Sequence, residues 1–234
     1  MITRWDGCGE PAKAFACPVA VAWVDDALWV ADAKLHAVAI IPPSGKGRFV
    51  GRDEMKRPAG MASCRANGLC YVVDAGAQSI LAFDRQGKLV ARFGSHGSGA
   101  GQFNYPAHIA CGPVSSGGSA DMLIVADALN FRVQRLGLDG KPLGAFGRKG
   151  DAAGDFGLPK AAAADADGNV WVVDAHFENV QAFTTDGKLL LAFGREGQGR
   201  GEFWLPAGIC IDAKRRMWIA DTYNRRVQVF ELLP

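Results

Sequence analysis

Five times along the chain a short run of consecutive apolar residues ends in aspartate: 28–32 (LWVAD), 70–74 (CYVVD), 123–127 (LIVAD), 170–174 (VWVVD) and 217–221 (MWIAD). A strand with one face in water alternates polar and apolar side chains, whereas these runs do not alternate. They therefore predict strands covered on both faces. Asp32, Asp74, Asp127, Asp174 and Asp221 recur about every 47 residues, so one supersecondary unit is repeated. Around each run the same order returns. A proline (Pro18, Pro58, Pro106, Pro159, Pro206) opens an apolar strand, and a turn leads to the Asp-ended strand. A polar loop and a third strand follow, such as 226–230 (RVQVF) or 180–183 (VQAF). Turns built on Asp and Gly at 84–88, 139–141 and 186–188 lead to a fourth strand ending in Phe-Gly at 93–94, 146–147 and 193–194. Glycine-rich spacers (SHGSGAGQF, RKGDAAGDF, REGQGRGEF) close the unit.

Four strands per repeat with turn chemistry between them predict an all-β fold, a β-propeller of four-stranded blades. The repeats run over 18–57, 58–105, 106–158, 159–205 and 206–234, all in one domain, 1–234. The last copy stops after its third strand. Residues 2–18 align without a gap on 190–206, placing Trp5 on Phe193, Gly9 on Gly197 and Phe15 on Phe203. Residues 2–17 are thus expected to supply the missing outer strand and remove an exposed sheet edge. That counts five blades. The first copy has an irregular stretch, 41–51 (IPPSGKGRFVG), in place of the usual turn and outer strand. The third carries an insertion at 112–120 (GPVSSGGSA), read as a surface excursion.

The segments 221–229 (DTYNRRVQV) and 127–133 (DALNFRV), with the Phe-Gly…Gly…Phe…Pro spacer, resemble NHL repeats, most strongly over 88–234. The resemblance, to the bacterial type of the family, implies a binding platform, often for protein and in some animal members for RNA. Bacterial relatives include sensors and exported proteins, and a smaller related set are metal-dependent lyases. Family propellers commonly have six blades, so a six-bladed ring, or one completed by assembly, stands as the alternative to five.

Charge and composition narrow the function. The 26 basic and 24 acidic residues nearly cancel, which predicts no general attraction to nucleic acid or anionic membrane. On the face formed by spacers and post-aspartate loops, Arg132, Arg148, Lys149, Arg195, Arg200, Arg225 and Arg226 mix with Asp151, Asp155, Glu178, Glu196 and Glu202. Such a mixture argues against an RNA site. No apolar stretch reaches the length of a membrane span, and the first residues do not form a signal sequence. Compartment is left open, an exported origin included. The six cysteines form no Cys-x-x-Cys motif. Cys64 and Cys70 flank a turn and could pair across a hairpin; Cys8 and Cys17, flanking a loop, could also pair.

The five aspartates look like a carboxylate ring, but an aspartate closing a strand more commonly accepts N–H groups of the following loop. Catalytic zinc needs three converging ligands. Of the histidines only His108 starts an inner strand, where the other copies have Ala20, Gly60, Ala161 and Gly208. No nucleophile elbow, phosphate loop or His-Glu-x-x-His helix is present. The expectation is a binding or scaffold propeller without enzymatic activity or cofactor. It engages a protein or peptide around the channel mouth through His108, Arg132, His176, Trp204, Tyr223 and Arg225, as a monomer or small homo-oligomer. A metal-dependent lyase or lactone hydrolase with its site at the channel, and an RNA-binding domain, are the alternatives.

Overall fold

The computed structural model describes residues 15–114 and 121–233. They fall into two compact units, 1–96 and 97–234. The first unit holds two antiparallel sheets. One is β1 (Pro18–Val24), β2 (Ala27–Asp32), β3 (Ala37–Ile41) and β4 (Arg48–Val50); the other is β5 (Pro58–Cys64), β6 (Leu69–Asp74), β7 (Ser79–Phe83) and β8 (Leu89–Phe93). The second unit holds three: β9 (Pro106–Pro113), β10 (Asp121–Asp127), β11 (Arg132–Leu136) and β12 (Pro142–Phe146); then β13 (Pro159–Ala164), β14 (Val170–Asp174), β15 (Asn179–Phe183) and β16 (Leu189–Phe193); then β17 (Pro206–Ile211), β18 (Arg216–Asp221) and β19 (Arg226–Glu231). In every sheet sequence order equals spatial order, the up-and-down connectivity of a propeller blade. A single helical turn, Ala128–Asn130, is the one helix among the described residues. The chain is an all-β propeller with five blades, and β4 is only three residues long, as the irregular first copy predicts.

Consecutive apolar residues in the central strands reflect blade-on-blade packing. Successive side chains of a strand point to opposite faces, so each blade offers one face forward and one back. In unit 1 the forward face of the first blade (Trp29, Ala31, Val38, Ile40) packs on Met61, Cys70, Val72, Leu81 and Phe83 of the second. In unit 2 Met122, Ile124, Val133 and Phe146 meet Ala162, Val170, Val172 and Phe183. One blade on, Ala161, Ala163, Trp171, Val173, Val180 and Ala182 meet Ile209, Met217, Ile219 and Phe230. Hence β6, β10 and β14 are buried along almost their whole length. The fifth blade differs. Its run MWIAD is as apolar as the rest, yet Ala220, Cys210, Val227 and Val229 are exposed and only its back face is packed. This blade has three strands among the described residues. Of the expected fourth, residues 2–17, all but 15–17 lie outside them, as do 115–120 of the insertion.

The Phe-Gly…Phe spacer has a steric origin. Phe146, Phe156 and Phe183 cluster with centroids 4.7 to 6.5 Å apart, and Phe193, Phe203 and Phe230 cluster at 5.1 to 6.1 Å. Gly147 (φ 91°) and Gly194 (φ 95°) are left-handed, and a Cβ there would lie 2.3 Å from Phe156 and 2.6 Å from Phe203. The glycine lets the spacer double back and drop its phenylalanine between blades.

The proposed Cys64–Cys70 bridge is not formed. Cys64 pairs with Leu69 across the hairpin and Cys70 with Ser63, which puts the two sulfurs on opposite faces. Cys70 is a buried free thiol whose ionisation burial pushes up strongly, while Cys64 and Cys111 are disulfide cysteines. Cys17 is a free thiol, so it does not pair with Cys8 either. Truncating the wedge should be costly: Phe203→Ala is expected to lower unfolding free energy by about 3–5 kcal/mol, read by denaturant titration. The same change at exposed Val227 is expected to cost far less.

Candidate binding face on the aspartate loops

The face is built from the ends of the second strands. All five aspartates are buried and accept backbone N–H groups. Asp74 takes those of Lys56 (2.7 Å), Arg57 (2.8 Å), Gly76 (3.0 Å) and Ala77 (3.0 Å). Asp174 takes Gly157 (2.7 Å), Leu158 (2.9 Å), His176 (2.9 Å) and Phe177 (3.1 Å). Each carboxylate therefore ties the loop that follows it to the chain that enters the blade. Burial raises the Asp32 pKa, but N–H donors from Cys17, Leu35, Ala16 and Lys34 outweigh it and hold the carboxyl below its usual range. The ring of carboxylates is a structural device, as the loop-closing reading expects.

Four residues beyond each aspartate the backbone turns left-handed: His36, Gln78, Phe131, Glu178 and Arg225 have φ between 52° and 57°. None is glycine, so five different side chains project from the same strained point of the repeat. The His36 ring meets the Lys56 carbonyl. Glu178 accepts the N–H of Leu205 at 2.6 Å, and burial raises its carboxyl, helped by the charges of Glu196, Asp221 and Asp174.

Two of the three long spacers carry a guanidinium clamp. Arg132 Nε donates to Asp127 at 2.9 Å, and its other nitrogens reach the carbonyls of Ser98, Gly99 and Gln102. Arg226 does the same with Asp221 (2.8 Å) and the carbonyls of Gln198, Gly199 and Glu202. Asn130 and Asn224 add donors to the same carboxylates. Gln134 and Gln228 complete both sets. Arg132, expected as a binding residue, is thus engaged by its own spacer.

The other expected residues separate into two groups. His108 is not at a loop surface. It sits in β9, its ring is hydrogen-bonded to the Ala162 backbone of the next blade, and Nδ1 is buried without a partner. Burial lowers its pKa to about 4 from 6.5. Trp204, Tyr223, Arg225 and His176 do lie exposed on loops of unit 2. The rings of Trp204 and Tyr223 meet at a tilt of 40°, with centroids 5.5 Å apart. The pair is held from behind, since Trp204 N–H donates to Asp221 (2.8 Å) and Tyr223 N–H to the Trp204 carbonyl (3.1 Å). His176 lies beside Phe177 at 5.1 Å, its ring against Gly157. Lys149 sits over the Phe131 ring at 5.3 Å. Sequence reasoning passed over Glu178, Phe177 and Asn179 as departures from the repeat; aligning DAHFENVQ with DALNFRVQ and DTYNRRVQ shows all three. As a metal ligand set Cys111 and Asp121 (Sγ to Oδ2 3.9 Å) are compromised, because the sulfur is already in a disulfide.

Comparison with known proteins agrees with this geometry. The NHL repeat family model matches residues 203–230, the fifth-blade wedge and its aspartate loop. Residues 203–230 are an NHL repeat, and the chain is a β-propeller. A search of curated proteins returned no match. Similar solved structures include virginiamycin B lyase from Staphylococcus aureus (TM-score 0.65, 14% identity, 92% of this chain and 70% of that one). A nidogen/laminin complex gives 0.69 and 16%, covering 92% and 76%. A streptogramin B lyase gives 0.62 and 14%, covering 98% and 86%. These likenesses are of fold. They overturn one expectation: the same propeller carries lyase activity in two of these proteins, so the chain cannot be set down as a non-enzyme. No helix among the described residues is long and apolar enough to cross a membrane.

Two measurements check the site's energetics. His108 is neutral when folded and binds a proton more readily when unfolded. Its contribution is therefore complete above pH 6.5 and is lost as pH falls towards 4, by up to about 3 kcal/mol. His108→Ala, which restores the residue of sister blades, is expected to flatten the pH dependence of denaturant stability between those values. Arg132→Leu leaves Asp127 buried without its cation and is expected to cost about 3 kcal/mol, seen as a lower midpoint of unfolding.

Proposed function

We propose that unit 2 is a protein- or peptide-binding module that receives its partner on the aspartate-loop face, with the Trp204–Tyr223 pair as the anchor. The observation that carries this reading is that pair. Two large rings are exposed at 40% and 59%, in tilted contact with each other, with the Trp204 N–H held by the buried Asp221 carboxylate and the Tyr223 N–H by the Trp204 carbonyl. Exposed aromatics on a rigid support lose little conformational freedom on binding and are the residues that dominate interface energies. Arg225 and His176 stand exposed on the loops of the same face and offer polar contacts around the anchor. The nidogen/laminin structure, a protein complex containing a propeller of similar fold, supports the reading by analogy only.

A displayed peptide library panned against the whole protein tests it. Peptides enriched on the wild type are expected to bind Trp204→Ala at least 10-fold more weakly, about 1.4 kcal/mol or more, with Tyr223→Ala close behind. Enriched peptides whose affinity ignores both substitutions would place the site elsewhere.

A further inference from the structure

Unit 2 contains a cleft at the end of β14 opposite its aspartate. It lies between the fourth and fifth blades, encloses about 650 Å³, and its described lining comes from those two blades alone. Its volume falls within the range of small-molecule sites. The neighbouring interface shows why the space is there. Between the third and fourth blades the 184–188 turn folds over the preceding sheet. Gly187 lies so close to Phe146 that a Cβ would collide with the ring, and Leu189 packs on the same cluster. Among the described residues the fifth blade has no turn or strand after β19, so no such turn covers Phe193 and Phe230.

The floor of the cleft is apolar and rigid. It is formed by Trp171, Phe193, Met217 and Phe230. The Trp171 indole N–H donates to Asp165 at 2.9 Å, and the rings of Phe193 and Phe230 meet edge to face with centroids 5.1 Å apart. The cleft is open to solvent, since Leu190 and Leu191 on its lip are 49% and 45% exposed. Its polar end is acidic: Asp165, Asp167 and Glu231 line it against one cation, Arg215. That guanidinium is already engaged, donating to Asp167 at 2.9 Å and to the Leu232 carbonyl at 3.3 Å. Arg216, which faces Glu231 across the β18–β19 ladder, is held by Asp212 at 2.7 Å. Glu231 is exposed and, among the described residues, paired with no cation.

We propose that this cleft binds a small aromatic amine, its ring on the Phe193–Phe230 floor and its ammonium at the acidic end beside Glu231. Walls made of ring edges and faces favour a flat aromatic body. An ammonium complements the surplus of carboxylates, whereas an acid would meet three of them with only an occupied guanidinium in reach. The site lies at the other end of the blades from the Trp204–Tyr223 pair and does not depend on the peptide-binding reading.

Phenethylamine titrated into the whole protein tests it, followed by ¹H–¹⁵N chemical shifts, with hydrocinnamate, the carboxylate of matched shape, as control. Saturable shifts are expected at the Trp171 indole N–H and over 190–193 and 230–233, with hydrocinnamate about 10-fold weaker. Leu191→Arg sets a cation on the exposed lip without touching the floor and is expected to weaken phenethylamine about 10-fold. Glu231→Gln is expected to weaken it several-fold, which keeps the test decisive if Leu191→Arg does not fold. Trp204→Ala is expected to leave the titration unchanged, so failure here is distinct from failure of the peptide experiment. Four results would each overturn the proposal: no saturable response in the wild type, the outcome if residues 2–14 fill the cleft; an equal response to hydrocinnamate; shifts confined to 204–225; or a response indifferent to both cleft substitutions.

Discussion

A buried aspartate at the end of each second strand is the constraint on which the rest of the molecule depends. A carboxylate removed from water must be met by donors: at Asp32, Asp74 and Asp174 these are backbone N–H groups of the loop that follows and of the segment that enters the blade, whereas at Asp127 and Asp221 an entering N–H is joined by asparagine, arginine and glutamine side chains. One side chain therefore fixes both ends of a blade's loop edge. The left-handed residue four positions on folds the loop back beside the carboxylate in every blade. Several residues of the proposed binding face hang from that fold-back. Tyr223 and Arg225 follow Asp221, and His176, Phe177 and Glu178 follow Asp174.

The same constraint explains why the repeats could diverge. Where a carboxylate is satisfied by backbone alone, as at Asp32 and Asp74, its side-chain surroundings can vary without leaving a charge uncompensated. Where the entering spacer is long, as in unit 2, a guanidinium ties it down, and Arg132 and Arg226 become part of the framework. The fourth blade combines the long spacer with the backbone-only carboxylate. The anchor pair in the fifth blade differs in kind. Trp204 and Tyr223 are additions to a complete network rather than gaps in one.

The fold was open to reading in the primary structure because its signals are local and repeated. Apolar runs without alternation report strands covered twice, and the Phe-Gly…Phe spacer reports a wedge that only a glycine turn can place. Of the residues expected on the binding face, Trp204, Tyr223, His176 and Arg225 are exposed, and they stood out in the sequence as departures from a repeat. Two others misled. Arg132 reads as a surface cation, yet four acceptors surround it. His108, expected as a binding residue, is half-buried in β9 and hydrogen-bonded to the Ala162 backbone. Likeness of fold to lyases also shows that an absent catalytic motif does not define what a propeller does.

The sequence by itself determined the repeat of five units, the strand order within each blade and the loop-closing role of the aspartates, because each follows from side-chain periodicity and hydrogen-bond demand over a few neighbouring residues. Only the tertiary structure decided which charges remain available, which cysteines pair and which aromatic rings meet. Those outcomes depend on contacts between residues about 30 positions apart, such as Arg132 with Ser98 and Arg226 with Gln198, or on which face of a strand a side chain takes, as with Cys64 and Cys70. A spacing along the chain does not encode a direction in space, and it is direction that separates a clamp from a binding residue.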